Sequence, residues 1–339
     1  MVKEQLTNFE SRADYCKMKA LLVYNICGLG NKPSIDHYIK CIDSFLDQDF
    51  EDYRVLLSSC KSDLELVKAL YTKYKNSISY VYHSQVHTVN TTFNKAIQEY
   101  VKEKGPAKSY LFVDSGCSFY NPQTNIVDRT ILKNTYDTFK KYNNSIISLQ
   151  TNSDEALQTI SLKYKYETSS VQVVADDLYI PLGNALNCHV TMFSHEMYKA
   201  YNGKLIPDVF RAHCTESTFR YLAAAINTKW YVMKDQQIEH IKAIEGPSTG
   251  YPHVSPVHEN TWNNLLYERN ALDFITDPEV IKSGIGYEEC NSILPHNTEA
   301  YDENDMPLDS TNMKKLINKY FFLSKKELDY DDMTVQVKI

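Results

Sequence analysis

Residues 20–27, "ALLVYNIC", carry a single polar side chain, Asn25, in an otherwise apolar run too short for a helix of ordinary length. Such a run predicts a strand covered on both faces, the pattern of a parallel sheet rather than of an alternating, half-exposed one. The residues that follow decide how it is used. Pro33 and Ser34 open a helix whose apolar positions Ile35, Tyr38, Ile39, Ile42, Phe45 and Leu46 keep helical spacing. Tyr53–Ser59, "YRVLLSS", is a second strand, and Ser62 and Glu65 are spaced as a capping box at the head of a helix over 63–74. Ile78–Tyr82 is a third strand. Val89, Phe93, Ala96, Ile97, Tyr100 and Val101 mark a third helix that Gly105-Pro106 stops, and Tyr110–Val113 is a fourth strand.

Three strand–helix alternations followed by a fourth strand imply right-handed crossovers and a doubly wound, mostly parallel α/β sheet. Ligands of such sheets bind beyond the carboxyl ends of the strands. Cys27, Ser58, Ser59 and Asp114 fall at that edge. Asp114 stands out, in "YLFVDSGCSFYNP" (110–122), because a carboxylate at the end of a buried strand is costly unless it meets a cation, a proton or several donors.

The composition narrows the classes. With 43% hydrophobic and 23% charged residues the chain has the apolar material for a large core, and its net charge of −7 argues against nonspecific binding to nucleic acid or anionic membrane. No apolar run approaches the roughly 20 residues of a spanning helix, and the first 25 residues lack the features of a secretory signal, so a cytoplasmic protein is expected. The eight cysteines, at 16, 27, 41, 60, 117, 188, 214 and 290, contain no C-x-x-C pair, which speaks against a zinc site or a disulfide framework.

The second half is less regular. Val171–Ala175 is a strand candidate, Phe193–Tyr201 reads as helical, and a helix runs from about Thr215 to Ile226. Trp230–Met233 and Ile238–Ile241 read as two short strands. Residues 261–339 are polar and irregular and read as a C-terminal extension that wraps the core or joins a partner chain, a homo-oligomer included.

Several nucleotide motifs fail. "CGLGN" (27–31) is a lone G-x-G with Pro33 where the dinucleotide fingerprint needs its third glycine. No Walker-type G-x-x-x-x-G-K-[ST] loop occurs. The order of features instead resembles the nucleotide-sugar glycosyltransferases of the GT-A fold, especially the family 2-like group. "YIKCIDSFLDQDFEDYRVLLSSCKSD" (38–63), "NTTFNKAI" (90–97), "LFVDSG" (111–116), "GNALNCHVTMFSHEMYKAYNGKLIPDVFRAHCTESTFRYLAAA" (183–225) and "QQIEHI" (237–242) follow one another as that family's blocks do. The resemblance implies one domain over 1–260, with a donor half of about 18–120 and an acceptor half of 121–260, before the extension.

It also implies a function: transfer of a sugar from a nucleoside diphosphate, UDP- or GDP-linked, to a glycan or other hydroxyl acceptor, by inversion with Glu216 as general base. Cys27, Ser58, Ser59, Asp63, Asn94, Asp114, Ser115 and Gly116 correspond to donor-binding positions, Asn184 and Asn187 to acceptor-binding ones, and Asp114 and His240 to ligands of Mn²⁺ or Mg²⁺. The chain departs from the pattern at Gly116, where the family's second metal-site Asp would stand. That departure leaves a catalytically silent sugar-nucleotide or glycan-binding descendant as the alternative, and a nucleotidyltransferase on a similar sheet as a third. His253 and His258 compete with His240 for the metal role. His189 and His213 read as core or cleft residues, and Asp176-Asp177 as a turn or a contact to the acceptor hydroxyl.

Overall fold

A computed structural model describes residues 18–26, 34–60, 64–83, 89–152, 171–175, 178–181, 189–206, 219–240 and 334–335. Strand β1 (Ala20–Ile26) is buried along its whole length, as its continuous apolar sequence requires, and lies between β2 (Tyr53–Cys60) and β4 (Ser109–Val113), parallel to both. β3 (Ser79–His83) continues the parallel set outside β2. The connecting helices are α1 (Ile35–Leu46), α2 (Leu64–Tyr74) and α3 (Val89–Lys104). Ser34 caps α1, its hydroxyl accepting from the His37 N–H at 3.3 Å. Gly105, at φ +89°, closes α3 by donating to the Val101 carbonyl at 2.9 Å, a left-handed position that suits glycine.

The expected doubly wound, mostly parallel sheet is present. One face carries Tyr24, Phe45, Phe119 and Phe139 with the apolar stripes of α1 and α2. The other carries ring contacts that run from Phe93 on α3 through Phe112, and from Phe193 through Phe219 to Trp230.

Beyond β4 the alternation legible in the sequence ends. Short strands β5 (Cys117–Ser118), β6 (Tyr120–Asn121) and β7 (Ile126–Val127) lead to α4 (Ile131–Lys141) and β8 (Ile146–Thr151), a helix and a buried strand that sequence reasoning left without an assignment. The stretch is rich in Thr and Asn, which are weak helix formers, and α4 gains its stability by burying Ile131, Leu132, Tyr136 and Phe139. β9 (Val171–Ala175) lies where a strand was expected, paired with β10 (Leu178–Pro181). Residues 193–194 finish β11 (Val190–Ser194), and the helix expected from 193 begins only at α5 (His195–Ala200). Ser194 caps it, accepting from the Met197 N–H at 3.0 Å. α6 (Phe219–Ala225) falls within the helix expected over 215–226, whose first residues lie outside the described ones. The two short strands read at 230–233 and 238–241 are one, β12 (Trp230–His240), with a break in register between Met233 and Gln237.

With β13 (Thr334–Val335) at one edge, the strand order is β13-β3-β2-β1-β4-β11-β8-β12-β10-β9. β11 runs antiparallel between β4 and β8. The reversal matters for the site, because β11 starts where β4 ends. At the far edge β13, from the C-terminal extension, pairs antiparallel with β3 and covers an edge strand that would otherwise offer its backbone. Among the described residues no helix is long and apolar enough to cross a membrane.

Candidate metal and donor site

Asp114 is the first residue after β4. Val113 pairs with Val190, so His189, one step before β11, stands beside it. The Asp114 N–H donates to the His189 carbonyl at 2.9 Å, and its Oδ2 meets His189 Nδ1 at 3.1 Å. Its Oδ1 accepts the Ser115 N–H at 2.7 Å, and its own carbonyl accepts from Cys117 at 3.0 Å, which closes a tight turn over 114–117. Two side chains from the apolar face hold that turn: the Tyr24 hydroxyl (2.7 Å) and His37 Nε2 (3.1 Å) both reach the Ser115 carbonyl.

His240 arrives from the other half of the chain. β5 pairs antiparallel with the end of β12, setting His240 opposite Cys117 and Glu239 opposite Ser118. The His189 and His240 rings stack 4.1 Å apart with 7° between their planes, and the His240 N–H donates to Asn152 Oδ1 at 2.8 Å. One ligand atom each from Asp114, His189 and His240 lie within 4.8 Å of one another. Burial pushes the Asp114 carboxyl up, but the His189 hydrogen bond and charge, the His240 charge and the Ser115 N–H outweigh it and bring it down to about 2. The group is therefore a carboxylate throughout the neutral range.

That depression has a consequence for acid stability. The ionised Asp114 stabilises the fold above its unfolded value of about 3.9, and this contribution is lost as the pH falls towards 2. Urea unfolding of chelator-treated protein is expected to show a smaller loss between pH 4 and pH 2 in Asp114→Asn than in the wild type. An identical acid limb in both would mean that the carboxylate is not so held.

Beneath His240 lies a charged clamp. Lys40 on α1 bonds both Glu239 oxygens, at 2.9 and 3.1 Å, and Ser118 Oγ donates to Glu239 Oε2 at 2.7 Å. The Lys40 ammonium also sits 4.3 Å from the centre of the Tyr120 ring. The Glu239 side chain is only 19% exposed, so this pair is less screened than a surface ion pair. It ties α1, β5 and β12 together at the point where the two halves of the cluster meet. Glu239→Gln is expected to lower the affinity for Mn²⁺ about tenfold with the circular dichroism spectrum unchanged, the size of effect seen when outer groups orient ligands. Unaltered affinity by titration would reduce the clamp to a packing feature.

The other expected positions divide. Ser115 and Gly116 form the turn beside Asp114, half-buried at the rim. Ser58 and Ser59 are buried at the end of β2, and Ser58 Oγ donates to the Thr92 carbonyl at 3.2 Å. Asn94 is buried on α3. Its Oδ1 accepts the Leu205 and Ile206 N–H groups at 2.9 and 3.2 Å, and its Nδ2 donates to the Ile206 carbonyl at 2.7 Å. Cys27, Asp63, Asp176, Asp177, Asn184, Asn187, His213, Glu216, His253 and His258 lie outside the described residues.

His189, read from the sequence as a core or cleft residue, is the member of the cluster that sequence reasoning missed. Its signal is faint: it directly precedes an apolar strand, as Asp114 directly follows one, and only an antiparallel pairing of those strands makes them neighbours.

No protein-family model matches the chain, and no curated protein does. Among solved structures it is similar to the mannosyltransferase PcManGT from Pyrobaculum calidifontis in complex with GDP-Man and Mn²⁺, at 11% identity and a TM-score of 0.47 over 89% of this chain and 87% of that one. It is similar to GalNAc-T7 with UDP, GalNAc and Mn²⁺ at 11% identity and a TM-score of 0.47, over 91% of this chain and 56% of that one. A UDP-glucose pyrophosphorylase complexed with UDP-glucose follows at 11% identity and a TM-score of 0.40, over 73% and 99%.

Proposed function

We propose that this chain is a glycosyltransferase that takes its sugar from a nucleoside diphosphate and hands it to an acceptor hydroxyl. The observation that carries the reading is the meeting of Asp114, His189 and His240 at the carboxyl edge of the parallel strands, with the carboxylate held ionised. One carboxylate and two imidazoles fit a divalent ion such as Mn²⁺, with coordination positions left for phosphate oxygens and water. Mg²⁺, which prefers oxygen ligands, fits less well. His189 offsets the carboxylate missing at Gly116. Such an ion, when bound, neutralises the charge on a departing diphosphate.

The chain's own residues supply the rest. Ser115 and Gly116 line the diphosphate; Cys27, Ser58, Ser59 and Asp63 line the nucleoside; Asn184 and Asn187 line the acceptor. Glu216 takes the proton from the acceptor hydroxyl onto its carboxylate, which suits inversion. These roles rest on the resemblance of the motifs. Ser58 has its hydroxyl turned to Thr92, so its contribution to the nucleoside pocket is shape.

The test is release of nucleoside diphosphate from UDP- and GDP-sugars in Mn²⁺, with and without glycan acceptors. Acceptor-stimulated release supports the transferase. Tight binding without release in the wild type, unaltered in Glu216→Gln, favours the silent descendant instead.

A further inference from the structure

The row of side chains that begins at Asp114 continues past His189. On β8, Ile147 and Leu149 belong to the apolar cluster beneath α1 and α4, so Ser148 and Gln150 face the opposite side of the sheet. On that side Ser148 Oγ lies 2.8 Å from Thr191 Oγ1 and accepts from Trp230 Nε1 at 2.9 Å. Thr191 pairs with Ser148 on one flank and with Phe112 on the other. Two residues further along these antiparallel strands, the same row reads Asp114, His189, Gln150. Gln150 is 2% exposed, and among the described residues its Nε2 has no hydrogen-bond partner. Its neighbour in register on β12, Gln237, accepts from Gln123 at 2.8 Å instead. Folded proteins leave few buried donors without an acceptor, and those they do leave invite an explanation.

We propose that Gln150 is a specificity-determining residue of this site, its Nε2 donating to a hydroxyl oxygen of the donor's sugar. The assignment rests on the reading of the Asp114–His189–His240 cluster as a sugar-nucleotide site. An amide N–H needs an acceptor, and a sugar hydroxyl oxygen is a neutral one that an amide can select without a charge. Neighbouring strands lie roughly 4.8 Å apart, so the backbone of Gln150 stands two spacings, about 10 Å, from that of Asp114. That is far enough for the diphosphate to be met at Asp114 and the sugar at Gln150. A site built to hydrogen-bond a hydroxyl also rejects ligands that lack it, because its own polar group is then left unpaired.

Calorimetric titration in Mn²⁺ of the wild type and Gln150→Met, with UDP, GDP, UDP-glucose and GDP-mannose, tests this. Met keeps the length of the side chain and removes the donor. The variant is expected to bind the free nucleoside diphosphate within about twofold of the wild type and the matching sugar conjugate about tenfold more weakly. Its urea midpoint without ligand is expected at or above that of the wild type, since an unpaired donor has been removed. Equal loss for diphosphate and conjugate would overturn the assignment, as would a lower midpoint with sugar discrimination intact, which marks a structural amide. A wild type that binds Mn²⁺ but none of the four nucleotides removes the sugar-nucleotide reading itself and the assignment with it. Gln150→Met failing alone leaves the wild-type nucleotide binding in place.

Discussion

Asp114→Ala is expected to lose the nucleotide-induced stabilisation that the wild type shows in Mn²⁺. In thermal unfolding against UDP, GDP, CDP and ADP, each with and without the metal, one nucleotide at about 100 times its dissociation constant should stabilise the wild type by about 2.7 kcal/mol. The shift should vanish on chelation and in the variant, each protein being compared with its own ligand-free baseline. The carboxylate is the natural anchor of the cluster: Oδ1 is held by Ser115, Oδ2 faces His189 Nδ1, and the turn behind it is gripped by Tyr24 and His37. Removing it takes away the one carboxylate of the Asp114–His189–His240 cluster. A variant that keeps the full metal-dependent shift would show that the nucleotide is held elsewhere. A wild type unmoved by every nucleotide would sink the transferase reading and leave Asp114 as the group that ties β4 to the start of β11.

Asn94→Ala is expected to destabilise the fold by about 3 kcal/mol, roughly one for each of three buried hydrogen bonds lost. Asn94 fastens residues 205–206, which follow α5, to α3. The truncation strands two backbone N–H groups and one carbonyl in the interior. Urea unfolding should show a lower midpoint at unchanged slope. The same residue was expected from its motif to touch the donor, and the two roles separate cleanly. A donor contact predicts weaker nucleotide binding with an unchanged midpoint; the clamp predicts the reverse in protein that remains folded.

How much of this was legible beforehand depends on distance along the chain. The parallel half was readable because each strand is a short apolar run and each helix has its own stripe and caps, all local properties of a dozen residues. Ser34 at the head of α1 and Gly105 at the end of α3 do what their residue types predict. Asp114 was readable for the same reason, as a charge at the mouth of a buried strand. β8 and α4 were not, since "IISLQT" and the Thr-rich helix owe their form to what they pack against rather than to their own propensity.

The cluster marks the boundary most sharply. The sequence by itself determined the wound sheet and set a carboxylate, Asp114, at the carboxyl edge of its strands, and the resemblance of its motifs singled out His240. Only the tertiary structure decided that His189 joins them and that Gln150 stands next in the row. Those neighbours follow from β11 running antiparallel between β4 and β8, while the pairing of β12 with β5 sets His240 beside them. Strand direction and register are settled by pairing between segments tens of residues apart, and no local pattern of side chains encodes which segment will be the neighbour.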